Sequence, residues 1–163
     1  MNAPQALPDS PRAAYARALS AGFVVDAAQR RAVEALQQCF EAVQRDERPL
    51  GVYLWGPVGR GKTWLMDSFY NALRVPARRQ HFHHFMQWVH RRQFELTGNA
   101  DPLRLLAEEL GREVRVLCFD ELFVSDIGDA MLLGRLLSLV VEQGVVLVAT
   151  SNQPPDQLYA GGF

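Results

Sequence analysis

The chain has 163 residues, 48% hydrophobic and 21% charged, a size and balance that suit one domain burying roughly two thirds of its unfolded surface. A net charge of -1 excludes the global basic field of a dedicated nucleic-acid binder, and two cysteines, Cys39 and Cys118, are too few for a disulfide framework. No apolar run approaches the roughly 20 residues needed to cross a bilayer, and the N-terminus lacks the apolar centre of a secretory signal.

Residues 1–22 carry Pro4, Pro8 and Pro11 and little periodicity, so they are expected to form a leader, in part disordered, ahead of a domain over 23–163. Their arginines and alanines fit a mitochondrial presequence, but Asp9 and the prolines oppose one, and the bacterial cytoplasm is the expected compartment. Asp26 and Gln29 have the spacing of a capping box, and Val33, Leu36, Phe40 and Val43 then repeat at helical spacing, predicting an amphipathic helix that ends near Arg45. Gln29 is either a plain capping residue or a side chain within reach of a nucleotide base.

Residues 51–55 are apolar without alternation, the pattern of a central parallel strand covered on both faces. Directly after them stands Gly56-Pro57-Val58-Gly59-Arg60-Gly61-Lys62-Thr63, a G-x-x-x-x-G-K-[ST] phosphate-binding loop between a strand and a helix. Glycines let the backbone wrap an anion with its N–H groups inward, and the following helix N-terminus adds partial positive charge. Lys62 would neutralise the β- and γ-phosphates of a nucleoside triphosphate, and Thr63 would offer its hydroxyl to Mg²⁺. The chain holds sixteen arginines and one lysine, and that lysine is Lys62. A compact ammonium fits between phosphates where a planar guanidinium does not. Leu65, Phe69 and Leu73 predict a helix over 62–73, closed by Pro76.

A second strand is expected at about 80–85. Its His81, His83 and His84 are read as structural or network histidines, with a zinc site as the alternative. A helix over 86–97 follows, stopped by Gly98 and Asn99. Asp101 as N-cap and Pro102 at the first position, with Leu103, Leu106 and Leu110 on one face, predict another helix that Gly111 terminates. The pairs Arg78-Arg79 and Arg91-Arg92 read as solvated faces, with a nucleic-acid or partner contact as the lesser alternative.

The third strand, 114–119, runs into Asp120-Glu121, placing two carboxylates at the strand end where open α/β sheets bind ligands. Asp120 would hold hydrated Mg²⁺, and Glu121 would orient and polarise the attacking water. Asp126 and Asp129 are expected to cap a helix over 127–142 that Gly144 ends. The fourth strand, 145–149, leads to Thr150-Ser151-Asn152, and Asn152 is placed to hydrogen-bond the γ-phosphate or the lytic water. That amide resembles the sensor-one position of AAA+ ATPases.

Four blocks in order, GVYLWGPVGRGKTWLMDSFY, RQHFHHFM, VLCFDELFVSDIGDAMLL and GVVLVATSNQPPDQLYAGG, resemble the AFG1-like ATPase family from about Asp26 to the last residue. The resemblance implies an α/β P-loop fold of the AAA+ type, a three-layer sandwich with a mostly parallel sheet in the strand order 5-1-4-3-2. It further implies Mg²⁺-dependent ATP hydrolysis, homo-oligomers and a protein substrate. In bacterial members that substrate is associated with cell division and FtsZ polymers; mitochondrial members are linked to protein quality control. Family members continue past Phe163, so strand five, the intersubunit arginines and the helical lid are expected beyond this chain. The leading expectation is an ATPase that remodels a protein partner. Its alternatives are a nucleic-acid-associated AAA+ module such as a helicase loader, and a nucleotide-binding fragment without turnover.

Overall fold

The computed structural model describes residues 10–22, 26–56 and 61–153. Four parallel strands, β1 (Val52–Trp55), β2 (Ala77–His81), β3 (Val116–Asp120) and β4 (Val146–Ser151), form one sheet in the order β1-β4-β3-β2, the order expected for the first four strands. Among the described residues six helices surround it: α1 (Pro11–Ser20), α2 (Ala27–Gln44), α3 (Lys62–Ala72), α4 (Phe82–Glu95), α5 (Pro102–Glu113) and α6 (Ile127–Glu142). None of the described helices is long and apolar enough to cross a membrane.

The inner strands β3 and β4 are apolar up to their C-terminal ends, where Asp120, Thr150 and Ser151 stand, because both faces of the sheet are covered. Side chains alternate along a strand, so Val116, Cys118, Val146 and Val148 pack with Leu36 and Phe40 of α2 and Met66 and Phe69 of α3. Their neighbours Leu117, Phe119 and Ala149 point the other way, against Phe85 of α4, Leu106 of α5 and Leu133 of α6. Phe85 and Phe119 meet at 4.5 Å between ring centroids, and each is essentially fully buried. Burying one such ring contributes about 1.5–3 kcal/mol. Both cysteines belong to the first of these cores, where burial pushes the thiols up to about 11 for Cys39 and about 12 for Cys118, leaving them protonated packing groups.

Five expectations need correction. The second strand is β2 at Ala77–His81, and Phe82, His83 and His84 open α4 instead of continuing a strand. Among the described residues β2 is an edge strand paired only with β3, so its polar sequence ARRQH can form a ladder on one side without an apolar face. The apolar residues after it belong to the buried stripe of α4: Phe82, Phe85, Met86 and Val89. Within the expected leader, Ser10 caps α1 by accepting from the Ala13 amide, Pro11 starts the helix, and Tyr15 is buried against Trp64. Residues 1–9 lie outside the described residues.

The third correction concerns Gly111, which lies inside α5 two residues before its end. A Cβ at this position would come within 2.6 Å of the Gln143 Cβ, so glycine is there for close approach to the end of α6 rather than for a helix stop. Gly111→Ala is expected to destabilise the fold by about 1–3 kcal/mol, read as a lower denaturant midpoint at unchanged slope. The fourth is that the arginine pairs are not all solvated: Arg78 stacks 4.6 Å over Trp88, and Arg92 bonds Glu95 and Glu109. Arg79 lies in the site described below.

Asp26, Asp101 and Asp126 cap α2, α5 and α6 as expected, accepting from the amides of Ala28, Arg104 and Asp129. Asp129 is a first-turn acid rather than a cap, and its carboxylate meets His90 Nε2 at 2.9 Å, tying α6 to α4.

Candidate functional site

The turn from β1 into α3 ends on Gly61, the N-cap of α3, at φ +78°, a conformation that favours glycine. A Cβ there would also approach the Gln29 side-chain nitrogen to 3.2 Å, so α2 abuts the start of α3. Of the phosphate-loop residues, Pro57, Val58, Gly59 and Arg60 lie outside the described residues. Lys62 is the first residue of α3 and its ammonium donates to the Gly56 carbonyl at 2.6 Å. Burial holds the Lys62 pKa below its ordinary value, and the Glu121 carboxylate opposes that shift. Thr63, next in α3, is exposed at the same helix end. A half-buried cation and a helix N-terminus together favour an anion.

Across from them, the ends of β3 and β4 are stitched by polar groups. Glu121 adopts φ +57°, which is uncommon outside glycine and turns the chain sharply at the end of β3. That turn is held by β4: the Glu121 amide donates to Thr150 Oγ1 at 3.1 Å, and the Leu122 amide donates to the Thr150 carbonyl at 2.7 Å. The Ser151 hydroxyl donates to the Leu122 carbonyl at 2.7 Å, and the Gly56 amide donates to the Ser151 carbonyl at 3.2 Å. Thr150 and Ser151 are almost fully buried, so the strain at Glu121 is offset by bonds that water does not contest. The Glu121 side chain emerges 71% exposed.

A cavity of about 450 Å³ gathers these pieces: Gly61, Lys62 and Thr63 on one side, Glu121 and Asn152 on the other. A second cavity, of about 590 Å³, lies between α2 and β1 and is lined by Asp26, Gln29, Tyr53, Trp55 and Lys62. Lys62 is common to both, as phosphates in one and a base in the other would require.

Asp120 turns its carboxylate toward β2. Arg79 Nε donates to Oδ2 at 2.7 Å and Nη2 donates to Oδ1 at 3.0 Å, while Nη1 donates to Asp67 of α3. Thr63 lines the cavity, and Asp120 ends β3 one residue before Glu121, which lines it too; a hydroxyl and a carboxylate are both hard oxygen donors. Such a set fits Mg²⁺, which is held by one or two protein oxygens with water and phosphate completing its shell. Among the described residues no three His, Cys, Asp or Glu side chains form a cage, and a phosphate-borne Mg²⁺ needs none.

A profile of the AFG1-like ATPases matches residues 8–163. The chain belongs to the AFG1-like ATPase family. It is 56% identical over 114 residues to the cell division protein ZapE of Escherichia coli, a match covering 69% of this chain and 30% of that protein. It is 40% identical over 135 residues to lactation elevated protein 1 homolog B of Danio rerio, covering 76% of this chain and 27% of that one. The chain thus spans about 30% of the length of the curated relatives it matches. Among solved structures, AMPPCP-bound DnaA from Aquifex aeolicus aligns with a TM-score of 0.62 at 18% identity, covering 84% of this chain and 42% of that one. That likeness shows the fold, a P-loop AAA+ domain.

Several residues of this AFG1-like site were not expected in it, and His81, read from the sequence as a structural or network histidine, is one of them. His81, the last residue of β2 and N-cap of α4, accepts the His83 amide at Nδ1, so its ring proton sits on Nε2 and is donated to Glu121 Oε2 at 2.8 Å. Arg79, Asp67, Thr150 and Ser151 complete the set. The signal for Arg79 and His81 was present: two apart on a strand, they share a face, but the strand was expected three residues too late. Ser and Thr at a strand end carry no such periodic signal.

Proposed function

We propose that this chain binds ATP with Mg²⁺ and hydrolyses it, and that hydrolysis drives remodelling of a protein partner in bacterial cell division. The observation that carries this is the shared cavity, in which Glu121 and Asn152 face Lys62 and Thr63 across the ends of β1, β3 and β4. Lys62 and the amides at the start of α3 bind the β- and γ-phosphates. The base lies in the cavity between α2 and β1, with Gln29 at its edge. Bound Mg²⁺ would be held by Thr63 and Asp120 and supplies charge compensation on the phosphate oxygens. Glu121 accepts a proton from the attacking water and aligns it, His81 holds the carboxylate from behind, and Asn152 donates to the γ-phosphate.

The partner reading rests on the similarity to a cell division protein and points to an FtsZ-like polymer, with the chain acting in the cytoplasm as a homo-oligomer. Pelleting of such a polymer with and without ATP tests it. An ATP-dependent loss of pelleted polymer is the expected result. Unchanged polymer, together with salt-sensitive binding of a single-stranded oligonucleotide, would replace it with a helicase-loader role.

A further inference from the structure

Arg79 is buried to 19% side-chain exposure between two carboxylates, and stability alone does not account for it. Desolvating an ion pair often costs as much as the pair returns, and a hydrophobic side chain of similar size would serve packing as well. The placement of Arg79 follows from the sheet. Arg79 is the register partner of Cys118, and Asp120 is two residues beyond Cys118 on β3, so all three share the face covered by α3. Asp67 comes from α3 itself, the helix that begins with Lys62 and Thr63.

From this arrangement we infer that Arg79 is a positioning residue for the metal side of the site, locking the Asp120 carboxylate to the phosphate-loop helix through Asp67. The two protein groups that would ligate Mg²⁺, Thr63 and Asp120, stand on different elements, α3 and β3. Arg79 is bonded to both elements at once. Its planar fork takes one lone pair on each Asp120 oxygen and leaves the other on each free for the metal or its water. The contact therefore orients the carboxylate without blocking it. Lysine at this position would keep the charge but lose the two-point grip.

The inference rests on the Mg²⁺-ATP reading above, and the test separates the two. A non-hydrolysable ATP analogue is titrated into the chain by calorimetry, once with Mg²⁺ and once in EDTA, and the ratio of the two affinities is the metal-dependent gain. Wild type should show a clear gain. Arg79→Lys should lose roughly tenfold or more of it while binding in EDTA stays within about twofold, the size of effect typical when a partner behind a metal ligand is removed. Asp67→Asn should move the ratio the same way by less, because Asp67 is half-exposed and the Arg79–Asp120 pair survives. Should Arg79→Lys fail to fold, Asp67→Asn carries the test alone. A wild-type ratio in folded variants, or an equal fall with and without metal, would overturn the role of Arg79 while leaving the Mg²⁺-ATP reading intact. No gain in the wild type would overturn both.

Discussion

Glu121→Gln is expected to abolish phosphate release while leaving ATP binding as tight as in the wild type or tighter. Glutamine is isosteric, its amide oxygen still accepts from His81 Nε2, and the left-handed turn at this position is held by the buried Thr150 and Ser151 rather than by the carboxylate. Only the base is lost. General-base catalysis is worth about 10²–10⁴-fold, so turnover should fall by about that factor. The sign of the binding effect follows from charge: the carboxylate lines the same cavity as Lys62, and its removal takes a negative group away from where phosphates would sit. Equilibrium binding of labelled ATP beside a phosphate-release assay separates the two effects. A variant that bound ATP poorly would show that Glu121 serves the fold of the turn instead of the chemistry.

The second large effect is expected at Lys62, where alanine should weaken ATP binding by roughly 10- to 150-fold. A hydrogen bond to a charged group is worth about 1.5–3 kcal/mol, and about 1.4 kcal/mol is a factor of ten. Without nucleotide, the Lys62 ammonium is bonded to the Gly56 carbonyl and opposed by burial, so the free protein should lose little stability with it. Lys62→Arg should not restore binding, because the guanidinium is planar and forked where the ammonium is compact. Calorimetric titration of ATP into the three proteins checks both statements, with the thermal midpoint of the free protein as the control for folding.

How much of this was legible in the sequence depended on whether a signal was local. The phosphate loop, the carboxylate pair after an apolar strand, and the capped helix at Ile127–Glu142 each announce themselves within a few residues, and the structure places α3 directly after Gly61, the carboxylate pair at the end of β3, and α6 where the spacing predicted. Asn152 was legible for the same reason, as a polar residue after an apolar run, and it lines the cavity with Lys62. The β2 strand was not, because hydrophobic periodicity finds elements that bury a face, and this edge strand buries none: its five residues are all half-buried or exposed. Misplacing it hid everything hung on it. His81 and Arg79 meet Glu121 and Asp120 across 40 and 41 residues of chain, contacts that no window of sequence contains. Gly111 misled for a different reason. A glycine near a helix end reads as a stop, yet here the missing Cβ makes room for Gln143, the C-cap of α6, which only packing can show.

The account as a whole turns on Lys62 and Glu121 working on one bound ATP. Its most direct test is phosphate release by the chain and by its Glu121→Gln variant, both at saturating ATP and Mg²⁺. The account predicts steady release by the wild type and, from a variant that has bound just as much ATP, almost none. Equal rates from the two proteins would contradict it.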